Sequence, residues 1–107
     1  MSENLTDDGW KHLSVPIPPE LVALGVDADI KRFIDAMIYK LRRNAHKGRW
    51  EDLALDKAFG DLKSEVEELE AAMGPGSTTE ILFEAADVAN EALIIAAIGL
   101  ERAGVRG

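Results

Sequence analysis

The chain has no cysteine, which rules out both a disulfide framework and a thiolate zinc site and fits a reducing compartment. Proline is scarce, and three of the four, Pro16, Pro18 and Pro19, crowd into one stretch near the start, where they exclude regular helix and mark an arm. No uninterrupted apolar run approaches the twenty or so residues of a membrane span, because Asp87, Asn90 and Glu91 break the run from Ala85 to Leu100. Cations are outnumbered, 12 Lys and Arg against 20 Asp and Glu, for a formal net charge of −8. That balance argues against a nucleic-acid binder, whose footprint is a dominant basic surface. No stretch alternates with the period of a strand, and no segment repeats or is of low complexity. The start, MSENLTDDGW, is acidic and polar rather than signal-like, so a cytoplasmic protein with no membrane partner is expected.

What remains is helical periodicity. A chain of 107 residues makes one domain that buries about 65% of its unfolded surface, a small core that oligomerisation would help. Residues 1–26 read as an N-terminal arm that Trp10 could anchor, with a helical turn from Pro19 to Leu24 ended by Gly25. Residues 27–104 read as an all-α bundle of three to four helices, and 105–107 as a loose tail. Asp27 or Asp29 can cap a first long helix whose apolar residues Ile30, Phe33, Ile34, Met37, Ile38 and Leu41 recur at three and four. It frays around Asn44 to Gly48. A second helix is expected to begin near Trp50 to Asp52 and run to Met73, with Gly60 inside it marking close packing or a bend. GPGS breaks the chain, and Ser77 with Glu80 forms a capping box for a last helix ending near Arg102 to Gly104.

The acids are ordered along these two final helices. Glu65 and Glu68 are three apart on the first, at the edge of the apolar stripe Leu62, Val66, Leu69 and Met73, and Glu84 and Asp87 are three apart on the second. On the last helix Glu80, Glu84, Asp87 and Glu91 fall within roughly 60° of one another, and apolar residues take most of the remaining surface. Like charges so placed repel and call for a compensating cation; Glu80 is excluded because the capping box occupies it. If the helices pack antiparallel, as the short turn requires, Glu65, Glu68, Glu84 and Asp87 meet. Their hard oxygens suit Mg²⁺, or Mn²⁺, rather than zinc. The plain alternative is a solvated acidic face. A basic block precedes the acids: residues 31–50 hold seven Lys and Arg against Asp35 alone. Carboxylates for a cation beside bases for phosphate oxygens are what a metal–phosphate complex needs.

ExxE at Glu65 and Glu68, a turn, then ExxD at Glu84 and Asp87, preceded by KLRRNAHKGRW from Lys40 to Trp50, resembles the all-α nucleoside triphosphate pyrophosphohydrolases, the MazG-like superfamily, in its small bacterial and phage form. The resemblance runs from about Phe33 to Leu100. It implies that the four carboxylates hold magnesium, that the substrate is a nucleoside triphosphate, and that water attacks its α-phosphorus to release the monophosphate and pyrophosphate. Glu65 or Glu68 would serve as general base. It also implies a homodimer or homotetramer. Lys47 and Arg49 are candidates for phosphate oxygens, Trp50 or Asn44 for the base, and Asn90 for a supporting role beside Asp87; Glu91 is a fifth ligand or a salt-bridge partner. Trp50 equally suits a core position, and bases near a helix end also cap carbonyls. The competing functions are a metal- or nucleotide-binding module without turnover and a helical interaction protein.

Overall fold

The computed structural model describes residues 16–47, 50 and 53–104, and all regular structure among them is helical. Four α-helices follow in order: α1 (Pro19–Ala23), α2 (Asp27–Arg43), α3 (Leu55–Met73) and α4 (Thr78–Arg102), with a 3₁₀ turn at Ala45–Lys47 after α2. The arm's first fifteen residues, with Trp10 and His12, and the tail 105–107 lie outside the described part, as do residues 48, 49, 51 and 52. No described helix is long and apolar enough to cross a membrane.

Each boundary has a local cause. Pro19 opens α1 at a position where its missing N–H costs nothing. Gly25 turns the chain with φ 78°, a left-handed backbone that suits glycine. Neither Asp27 nor Asp29 caps α2. Val26 takes the cap position without a side-chain hydrogen bond, and both acids fall in the first turn, where they favour the positive end of the helix dipole. Lys40, Arg42 and Arg43 complement the opposite end. α3 begins later than the start near Trp50 to Asp52 expected from acids at the positive end of the dipole: Trp50 and Leu53 are outside it, the Leu53 N–H donates to the Trp50 carbonyl at 3.0 Å, and the helix opens at Leu55.

Between α3 and α4 the break is tight. The Gly76 N–H donates to the Ala72 carbonyl at 2.8 Å, and a β-carbon at Gly76 would collide with that carbonyl, so glycine is required there. The capping box then starts α4: the Ser77 hydroxyl accepts from the Glu80 N–H at 3.2 Å, and the Glu80 carboxylate accepts from the Ser77 N–H at 2.8 Å.

α4 is the central helix, packed lengthwise on α3 and against α2. Ala36, Ala58, Ala86 and Ile98 are the buried apolar residues, one each from α2 and α3 and two from α4. Small side chains at these positions let the helices approach closely. The stripe on α3 is only partly covered: Leu62 and Leu69 are half-buried, whereas Val66 and Met73 are exposed, as is Phe59. Gly60 has open space around its Cα, so it marks neither close packing nor a contact.

Candidate metal centre

The antiparallel packing of α3 on α4 brings acids from the two helices together in steps. Going down α3, Asp61, Glu65 and Glu68 are spaced four and then three; going up α4, Glu91, Asp87 and Glu84 are spaced likewise. Each charge on one helix feels its counterpart on the other: Glu91 feels Asp61, Glu65 feels Asp87, and Glu84 feels Glu68. The matched spacing keeps all of these acids along one seam, since both sets follow the helical repeat.

At the centre, one carboxylate oxygen each from Glu65, Glu84 and Asp87 lies within 4.8 Å of the others, and all three residues are half-buried. Three carboxylates in such reach of one another can hold a metal ion. Glu68, the fourth acid of the pattern, is exposed beside Glu84 and outside that set of three. Oxygen is the only donor type, which selects a hard divalent cation. Two oxygens make the fit specific: Glu65 Oε1 and Glu84 Oε1 are buried and have no hydrogen-bond partner, a costly state for an acceptor that a cation would relieve.

The electrostatics agree. Burial first, and then the charges of Glu68, Asp87, Glu84 and Glu91, together raise the Glu65 carboxyl to about 7. Glu84 is raised by burial first and then by Glu68 and Asp87, with Lys40 pulling the other way. Glu91 is likewise raised, by burial and by Asp61 and Asp87, while Lys57 and Lys47 oppose the shift.

Comparison with protein-family models, with curated proteins and with solved structures gives no match. The centre therefore stands on its own geometry.

That geometry includes a cavity of about 730 Å³, within the range that takes a small-molecule ligand, which opens beside the carboxylates. Glu65, Asp87 and Glu91 supply its acidic lining, Lys40, Asn44 and Lys47 its basic and polar lining, and Leu41, Leu53, Ile94 and Trp50 its apolar part. Four of the five residues assigned to the substrate from sequence, Asn44, Lys47, Trp50 and Asn90, line it; Arg49 lies outside the described residues. Asn44 Nδ2 donates to the Lys40 carbonyl at 3.1 Å, closing the end of α2, so its amide has a structural task as well. Trp50 Nε1 is buried and unpartnered. Asn90 is 6% exposed, and its Nδ2 donates to the Met37 carbonyl at 3.1 Å. That bond fastens α4 to α2 and leaves Asn90 Oδ1 as a buried acceptor without a partner.

Lys40 belongs to the stretch from Lys40 to Trp50 singled out from sequence, but the sequence gives it no role of its own. Lys40 Nζ pairs with Asp87 Oδ2 at 3.2 Å, and it stands 5.6 Å from the centre of the Phe83 ring. What the sequence does not show is this pairing, because no spacing rule connects Lys40 to Asp87.

Proposed function

We propose that this chain is a metal-dependent nucleoside triphosphate pyrophosphohydrolase of the MazG-like kind, cleaving between the α and β phosphates to give the monophosphate and pyrophosphate. The observation that carries the proposal is the convergence of Glu65, Glu84 and Asp87, with two buried unpartnered oxygens, beside a cavity that Glu65 and Asp87 line together with basic and aromatic residues. A divalent ion held there, Mg²⁺ or Mn²⁺, would supply positive charge to phosphoryl oxygens and acidify water. The protein's own groups divide the remaining work. Lys47 offers an ammonium to phosphate oxygens, and the apolar lining with Trp50 offers a surface and an indole N–H for a base. A carboxylate engaged with a cation is a weaker base, so Glu68, exposed beside Glu84 and outside the central three, is the better general base.

The same chain would act as a homo-oligomer, since the exposed apolar residues of α3 and α4 favour association with another copy. The test of function is pyrophosphate release from a panel of ribo- and deoxyribonucleoside triphosphates with Mg²⁺. Release that stops in excess EDTA and in Glu84→Gln is expected. Release that persists undiminished in EDTA excludes the mechanism, and saturable nucleotide binding with no release leaves a binding module.

A further inference from the structure

The Lys40–Asp87 pair joins the acidic seam to the basic lining, and both residues line the cavity. The side chains are 24% and 20% exposed, so the pair is neither a solvated surface bridge nor sealed in the core. Phe83 and Asp87 are four apart on α4, hence on one face, and together they cradle the ammonium between an aromatic ring and a carboxylate. Phe83 is itself braced by Tyr39 of α2, with ring centroids 5.4 Å apart. Beside this cradle, Asn90 Oδ1 is an acceptor in a nearly sealed position with nothing to accept from.

Asp87 thus serves two cations. Its carboxylate belongs to the three that converge, yet one of its oxygens already holds Lys40. A divalent ion on Asp87 repels an ammonium 3.2 Å away on the same carboxylate, and the flexible four-carbon stem of a lysine lets the head group move. Glu84, whose charge already acts on Lys40, would be engaged by the same ion, so the new anion on offer would be an oxygen of the ligand that the ion brings.

We propose that Lys40 is a tethered counter-cation with two alternating partners, neutralising Asp87 in the ion-free protein and passing to a phosphoryl oxygen of the ligand once an ion engages Asp87. This rests on the metal-centre reading above. Lys40 then weakens the binding of a bare ion and strengthens the binding of an ion with its phosphate, so the site favours the complex over the free metal.

The two effects have opposite signs, which a purely structural lysine would not produce. Mn²⁺ alone is titrated into the wild type, Lys40→Met, Lys40→Gln and Lys40→Arg, followed by inorganic tripolyphosphate at saturating Mn²⁺. An opposite charge at this range changes a carboxylate's affinity for a cation by about tenfold. Lys40→Met and Lys40→Gln are therefore expected to bind Mn²⁺ alone about tenfold more tightly and tripolyphosphate about tenfold more weakly, with Lys40→Arg close to wild type in both. Two neutral variants guard against one that fails to fold. If Mn²⁺ binding is unchanged or weaker in the neutral variants, or tripolyphosphate binding is undiminished, the exchange of partners is wrong while the metal centre stands. If the wild type shows no saturable Mn²⁺ binding, or Asp87→Asn binds it equally well, the metal centre itself is wrong and the proposal falls with it.

Discussion

Glu65 and Glu84 are acids held where their charges are unwelcome. Burial and neighbouring acids push both carboxyls up, and the sign of the resulting pH dependence follows from Glu65. A carboxyl raised from an ordinary 4.5 to about 7 in the folded chain favours folding below 4.5 and loses that contribution as the pH climbs through 7. In EDTA, the melting temperature should therefore fall between about pH 4.5 and 7, and Glu65→Gln should flatten the slope; a slope of opposite sign that Glu65→Gln abolishes would contradict the raised carboxyl. Cation binding must displace the same proton, so affinity should rise with pH up to about 7. Glu84→Gln removes a charge repelled by Glu68 and Asp87, and ion-free stability should stay the same or increase while the stabilisation by Mg²⁺ disappears. A loss of about 3 kcal/mol or more in thermal melts, with the Mg²⁺ response intact, would mean that Glu84 belongs to a structural network instead.

At the level of elements, the two helices that carry the acids were legible because everything that defines them is local. The capping box is read from Ser77 and Glu80, three apart, and the seam from acids at three- and four-residue spacing. What was not legible depends on partners far along the chain or on the space around a helix. Lys40 and Asp87 are joined by packing of α2 on α4, and Asn90 reaches Met37 the same way. α3 starts at Leu55 rather than near Trp50, and the Leu53 N–H donates to the Trp50 carbonyl ahead of it, a contact that sequence spacing does not reveal. Gly60 is the clearest case. From sequence it reads as a sign of close packing or a bend, yet a β-carbon there meets nothing within 4 Å, so the packing half of that reading fails. Gly60→Ala should accordingly stabilise α3 by up to about 1 kcal/mol in a denaturant titration. A loss of stability would restore the reading that something packs against it.

The whole molecule is thinly filled. Among the described residues the buried apolar ones are three alanines and one isoleucine, and no large side chain is fully enclosed. Phe59, Val66 and Met73 recur every seven residues along α3 at 53%, 47% and 63% exposure, the interval of a helix-to-helix seam, and Leu93 and Leu100 repeat it on α4. Light scattering at micromolar concentration should report a mass above that of one 11.6 kDa chain, and Val66→Lys should return it to the single chain. A monomer in the wild type would refute the assembly. The hairpin of α3 and α4 also bears on time. Its acids come from one contiguous stretch closed by a short turn, so they meet early, before the distant α2 arrives, in a folding order governed by loop closure. Mutual repulsion then slows the step that pairs the two helices. A divalent ion present during refolding should hasten that step, raising the folding rate in stopped-flow experiments rather than only lowering the unfolding rate.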